Sequence, residues 1–286
     1  MAKCDVCFRQ CEIPEGKLGF CGARTCVNGE ISQASYGRIT SLALDPVEKK
    51  PLARFYPGSL ILSAGSYGCN LRCPFCQNYA ISWSEEAFRS AEAAEVISPG
   101  ELARTAAWYR EKGNIGVAFT YNEPLIGYEY ILDTARLVKD LGMKVVLVTN
   151  GTASLSVLNR LAPYIDAMNI DLKGFTDRYY REILKGDRRM VMDFIEAAVQ
   201  VCHVELTTLI IPGENDTEEE TARMCGWISG LKDREGKVTG RNIPLHISRF
   251  FPRFMMQDRD ATDVSLIYRL AETARKYLNY VYTGNC

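Results

Sequence analysis

The segment Gly68-Cys69-Asn70-Leu71-Arg72-Cys73-Pro74-Phe75-Cys76-Gln77-Asn78 carries three thiols separated by three and then two residues. Thiols at this spacing can converge from one short loop, and soft sulfur ligands select zinc or iron-sulfur clusters over hard cations. No histidine or fourth cysteine lies nearby. A structural zinc site wants four ligands, whereas a cubane held by three cysteines leaves one iron open to an exogenous ligand, and an open iron is a place for chemistry. Two plainer readings compete: three buried cysteines, or a zinc site completed from elsewhere in the chain.

A second set opens the chain as Cys4-x2-Cys7-x3-Cys11-x9-Cys21, with Cys26 beyond it. Four thiols with Pro14, Gly16 and Gly19 for turns describe a metal-stapled module too short to own a hydrophobic core. Zinc would make it structural, a second iron-sulfur cluster would make it an electron relay or substrate anchor, and such spacing also occurs without metal. Cys202 and Cys225 read as small buried hydrophobes, and Cys286 as part of an unstructured terminus.

The rest of the composition narrows the setting. The chain has 286 residues, 11 cysteines and 2 histidines, and its 34 basic against 35 acidic side chains leave a net charge of -1. That balance supplies no basic field for nucleic acid or anionic lipid, and no run approaches the roughly 18 apolar residues of a membrane span. Met1-Ala2-Lys3-Cys4-Asp5 lacks the charged-then-apolar pattern of an export signal. A reducing, cytoplasmic setting is the expectation, where cysteine clusters are metal ligands more often than disulfides.

These residues need a scaffold. Short apolar runs at residues 60–62, 116–119, 145–148, 168–170, 206–211 and 245–247 suit buried parallel strands, and they alternate with longer helical patterns. Ser98-Pro99-Gly100-Glu101 combines an N-cap serine, a first-turn proline and the glutamate of a capping box, while Gly113 and Gly142 stand where helices should end. Six β-α repeats make an α/β fold, either an open doubly wound sheet or a full or partial barrel, with residues 280–282 as a further strand candidate. Both architectures place ligands at the carboxyl ends of strands. There, Asn169, Asp171 and Lys173 share one face of a strand whose other face is apolar. Buried charges need partners, so a bound zwitterion or an internal Asp171–Lys173 ion pair is expected.

The Cys-x3-Cys-x2-Cys spacing, with Phe75 directly before the third cysteine, resembles the signature of the radical S-adenosylmethionine (SAM) superfamily. The resemblance implies a partial (β/α)6 TIM-type barrel in which Cys69, Cys73 and Cys76 hold a 4Fe-4S cluster and SAM chelates its fourth iron. It implies reductive cleavage of SAM to a 5'-deoxyadenosyl radical, so that no residue is assigned as catalytic beyond the cluster. Tyr121-Asn122-Glu123-Pro124 resembles the Gly-Gly-Glu-Pro element that binds the SAM amino group, with Tyr121 and Asn122 in place of the glycines. Thr149-Asn150-Gly151 and Asp171-Leu172-Lys173 are similar to elements of glycyl-radical activating enzymes, which brings Thr149, Asn150, Asp171 and Lys173 to the SAM region. Residues 209–216 resemble a segment near the adenine or ribose, and His246 matches a histidine near the ribose, whereas His203 has no such support. Asn78 joins the cofactor-binding set through Cys76-Gln77-Asn78-Tyr79-Ala80-Ile81-Ser82. Together with the head and Asp45-Pro46-Val47-Glu48-Lys49-Lys50-Pro51-Leu52, that string resembles the AmmeMemoRadiSam-system proteins, relatives of the pyruvate formate-lyase-activating enzymes. The expected organisation is a Cys-rich module and connector at residues 1–55 and the barrel at 56–286. Cys4, Cys7, Cys11 and Cys21 are expected to bind zinc or a second iron-sulfur cluster. The expected partners are a reductant such as flavodoxin or ferredoxin and a protein, peptide or small-molecule substrate.

Overall fold

The computed structural model describes residues 1–93 and 96–286. The head contributes β1 (Ala2–Lys3) paired antiparallel with β2 (Glu12–Ile13), then the hairpin β3 (Arg24–Val27) and β4 (Glu30–Gln33). Its turn is Asn28-Gly29 at φ 54° and 78°, the left-handed pair that a two-residue hairpin requires. Glu15 accepts hydrogen bonds from both turn amides.

Among the described residues the largest sheet has eight strands. They are β5 (Ser41–Pro46), β6 (Leu60–Gly65), β7 (Asn114–Phe119), β8 (Lys144–Thr149), β9 (Ala167–Asp171), β10 (His203–Ile210), β11 (Leu245–Arg249) and β12 (Val281–Gly284). They lie side by side in chain order. β6 to β12 run parallel, and only β5 pairs antiparallel, with β6. An order without reversal is not that of a doubly wound sheet. Asp45 on one edge strand and Thr283 on the other line the same cavity, so the sheet curls toward itself as an open barrel. The β5 edge falls inside the range read as module and connector. It carries no long apolar run, its residues are half-buried or exposed, and it ends on a proline, as edge strands do.

The strands alternate in and out with period two. Leu62, Val117, Val145, Leu147 and Met168 point outward into the core shared with the helices. Ile61, Ala118, Val146 and Ala167 point inward, where Val47, Leu52 and Phe55 from the β5–β6 connection pack against them and plug the amino-terminal end of the barrel. Two residues further along, the inward face becomes polar at Ser63, Thr120 and Asn169, while Val148 keeps it apolar on β8. The helix Pro99–Trp108 has its capping box, with Ser98 and Glu101 bonded reciprocally, and Gly113 and Gly142 adopt φ 90° and 70° at helix ends.

Candidate active site

The carboxyl ends of β6 to β12 open into a cavity of about 850 Å³. Cys69, Cys73 and Cys76 stand in its wall together with Asn78, Tyr121, Asn122, Glu123, Thr149, Asn150, Asp171, Lys173 and His246. The loop is set by backbone geometry. Gly68 has φ 91°, and a Cβ there would meet the Cys21 carbonyl oxygen at 2.8 Å and the Ala23 methyl at 2.9 Å. The Cys69 amide donates to the Cys21 carbonyl at 3.2 Å, and the Arg72 guanidinium donates to the carbonyls of Cys69 and Leu71 at 2.7 and 2.8 Å. Burial raises all three thiols above their ordinary range, Cys73 to about 12, while the nearby Lys173 ammonium acts in the opposite sense on Cys73 and Cys76. Ligation therefore has to displace protons. Among the described residues no three His, Cys, Asp or Glu side chains form a group that could hold a metal ion. Cys69, Cys73 and Cys76 stand in the wall of one cavity, and three thiolates are a ligand set that would leave one iron of a cluster open.

Glu123 is 2% exposed. Its Oε1 accepts from the Leu125 amide at 3.0 Å and the Thr149 hydroxyl at 2.7 Å, and its Oε2 accepts from the Asn150 amide at 2.7 Å. A carboxylate offers roughly four lone-pair sites, so these bonds leave capacity for one more donor from the cavity. Burial pushes the carboxyl up to about 7, against the pull of those three bonds. A cation seated beside it would favour the ionised form.

Tyr121 holds φ 73°, a left-handed backbone that glycine adopts without cost, which accounts physically for the glycines of the resembling element. The strain is matched by contacts. The Tyr121 hydroxyl donates to Asp45 at 2.8 Å, and Asn78 Nδ2 donates to the Tyr121 carbonyl at 2.9 Å. Asn122 uses its amide on the neighbouring turn, accepting from the Ser66 amide and donating to the carbonyls of Tyr67 and Gly68, all at 3.1 Å. It therefore braces the turn that enters the cysteine loop. Asn150 Nδ2 donates to Asn70 Oδ1 at 3.0 Å and lies 3.9 Å from the Cys69 sulfur.

The expected ion pair is present at the end of β9, with Lys173, just past the strand, holding its Nζ 2.7 Å from Asp171 Oδ2, and both side chains face the cavity. Burial opposes the Lys173 charge, but Asp171 outweighs it and holds the ammonium above its ordinary range. Asn169 lies one layer deeper and is consumed internally, donating to the Pro51 carbonyl at 2.8 Å and accepting from the Thr207 hydroxyl at 3.0 Å.

Three charged residues of this region are not assigned to the site from sequence. Lys50, 3% exposed, pairs with Asp45 at 2.8 Å in the cavity wall. Glu205 is fully buried on β10 and accepts from His203 at 2.9 Å, from His246 at 2.7 Å and from the amides of Ala53 and Arg54 at 2.9 and 2.8 Å. Because a carboxylate only accepts, it fixes the proton of both rings on Nε2. His246 also stacks on Tyr282 at 5.2 Å. The signal for Glu205 was a lone charge between apolar neighbours in Val204-Glu205-Leu206.

The head cysteines Cys4, Cys7, Cys11 and Cys21 line a separate, smaller cavity. Cys26 is buried apart from it beside Glu15. Cys225 is buried, Cys202 half-buried and Cys286 exposed. No helix among the described residues is long and apolar enough to cross a membrane.

Comparison with known proteins agrees with this geometry. The family described as the Radical SAM superfamily matches residues 64–225. The chain is similar to the uncharacterized protein MJ0808 of Methanocaldococcus jannaschii, 35% identical over 288 residues that cover 99% of this chain and 81% of the relative. It is 25% identical over 169 residues to the pyruvate formate-lyase-activating enzyme of Clostridium pasteurianum, covering 59% of this chain and 69% of that enzyme. Among solved structures, Streptococcus suis SuiB bound to S-adenosylmethionine superposes with a TM-score of 0.59 at 15% identity, covering 80% of this chain and 52% of SuiB. That likeness speaks for the fold, and the chain spans about half the length of SuiB. By the family match and the similarity along nearly its whole length, the chain belongs to the radical SAM superfamily of enzymes.

Proposed function

We propose that Cys69, Cys73 and Cys76 hold a 4Fe-4S cluster, that SAM binds against it in the cavity, and that the product radical abstracts hydrogen from a substrate admitted to the same space. The observation that supports this is the convergence of three thiols and nine polar residues, carried by separate strands, on one 850 Å³ cavity. Such a cluster, when bound and reduced, supplies the electron that splits SAM into methionine and a 5'-deoxyadenosyl radical.

The chain's own residues supply binding and orientation. Glu123, its carboxylate aimed by Thr149 and Asn150, receives the SAM ammonium, and the Lys173 ammonium faces the SAM carboxylate while Asp171 keeps it charged. Asn122 and Asn78 hold the turns that carry the cysteines and Tyr121. His246, fixed by Glu205 and stacked on Tyr282, forms part of the far wall, where the ribose would lie. A flavodoxin or ferredoxin is the reductant in this reading. The similarity to an enzyme that activates pyruvate formate-lyase favours a protein or peptide substrate.

The test is spectroscopic. The protein is reconstituted anaerobically with iron and sulfide, reduced with dithionite, and followed by electron paramagnetic resonance as SAM is added. A SAM-induced change in the signal, weakened at least tenfold in apparent affinity by Glu123→Ala, is expected. A cluster spectrum indifferent to SAM in the wild type would contradict the reading and favour an iron-sulfur centre acting as a Lewis acid.

A further inference from the structure

We propose that Cys4, Cys7, Cys11 and Cys21 hold a second iron-sulfur cluster, of the four-iron kind, beside the loop cysteines, and that it passes electrons to the cofactor bound there. The four thiols line one void of about 10 Å³. Four thiolates on one zinc ion would each lie about 2.3 Å from it, in mutual contact and with no void between them. A void lined by the four cysteines is what a cluster needs, since its irons and sulfides fill the middle.

Arg24 adds an independent observation. Its side chain is 4% exposed and lines the same void. One end donates to Glu129 at 2.6 and 2.7 Å, but its buried Nε–H has no hydrogen-bond partner. A buried donor left unpaired is costly, and most such groups in native proteins find an acceptor. A cluster ligated by four thiolates carries negative charge and accepting sulfurs, whereas four neutral thiols offer only weak acceptors.

The two cysteine sets adjoin. The Cys21 carbonyl accepts from the Cys69 amide at 3.2 Å, which links a ligand of one set directly to a ligand of the other. Arg9 and Arg72 stack on Phe20 at 3.5 and 4.1 Å, and Arg9 Nε donates to the Asn70 carbonyl at 3.0 Å. Their charges offset two anionic centres placed close together. In the transfer, one electron leaves the reduced head cluster and reduces the oxidised loop cluster, with no bond made or broken and no proton moved. A reduced one-electron carrier protein of the ferredoxin class replenishes it. The relay role rests on the loop-cluster reading above, but the binding of the head cluster does not.

The test uses the full chain reconstituted anaerobically with ferrous iron and sulfide. Iron, sulfide and zinc are measured in the wild type, in a Cys69→Ala/Cys73→Ala/Cys76→Ala variant and in a Cys4→Ser/Cys7→Ser variant. About eight irons per wild-type chain and about four in each variant are expected, with sulfide in equal number. One zinc, or no iron and sulfide, in the loop-cysteine variant would overturn the head cluster. Four irons there but none in the head variant would leave the head cluster standing and overturn the loop reading instead. Should the head variant not fold, Arg24→Gln in the loop-cysteine background serves: its cluster should titrate at a more negative potential, and an unchanged potential would overturn the Arg24 contact. The reduced wild type should show a spectrum broadened by coupling between neighbouring paramagnets, and a plain sum of the two single-cluster spectra would overturn the relay.

Discussion

Glu205 joins two parts of the molecule through one carboxylate. It takes hydrogen bonds from both histidines of the chain and from two amides of the segment that plugs the barrel. Burial alone would raise its carboxyl, yet those four donors outweigh burial and bring it down from 4.5 to about 2. A depressed folded-state value means that the folded chain binds fewer protons than the unfolded chain between those limits. The stabilisation is therefore complete above about pH 4.5 and is lost as the pH falls toward 2. Glu205→Gln leaves several buried donors facing an amide, and the expected loss at pH 7 is on the order of 3 kcal/mol. Urea midpoints measured from pH 7 downward check this, and the gap between wild type and variant should close below about pH 4.5. A gap that stays constant across that range would show that the carboxylate charge contributes nothing. Only the His203 contact is local in sequence, because Glu205 meets His246 and Arg54 through the pairing of β10 with β11 and the course of the plug.

At the scale of elements, the cysteine loop depends on a turn that tolerates no side chain. Gly68 combines a left-handed backbone with direct contact to the head, at the Cys21 carbonyl and the Ala23 methyl. Gly68→Ala adds conformational strain of about 1 kcal/mol and pushes the loop away from the head. The expected outcome is less than half the wild-type iron and sulfide after reconstitution, with far-ultraviolet circular dichroism unchanged. Full incorporation would show that the turn can yield. The six internal parallel strands were legible as apolar runs because both their faces are covered, and the capping box at Ser98 was legible because its chemistry is local. β5 was not, since a short half-exposed edge strand lacks that run. The polar face of β9 was readable from period two, but its division into a deep Asn169 and a cavity-facing Asp171 and Lys173 depended on where the plug ends.

Across the whole molecule, an open sheet in sequential order brings residues far apart in the chain to one space. Asp45 and Tyr121 are separated by 76 residues and share a hydrogen bond across the cavity wall. The cysteine loop could be read from sequence because its ligands are contiguous, whereas the Asp45–Lys50 pair could not, because its place in the site exists only once β5 closes the edge. A backbone hydrogen bond from the Cys69 amide to the Cys21 carbonyl ties the head to the cysteine loop. The most direct measurement is formation of 5'-deoxyadenosine after anaerobic reconstitution, with dithionite and SAM supplied and the nucleoside quantified by chromatography. The wild type should form it, and Cys73→Ala should lower the rate at least a hundredfold. A fully loaded wild-type cluster that neither binds SAM nor yields the nucleoside would contradict the proposed chemistry.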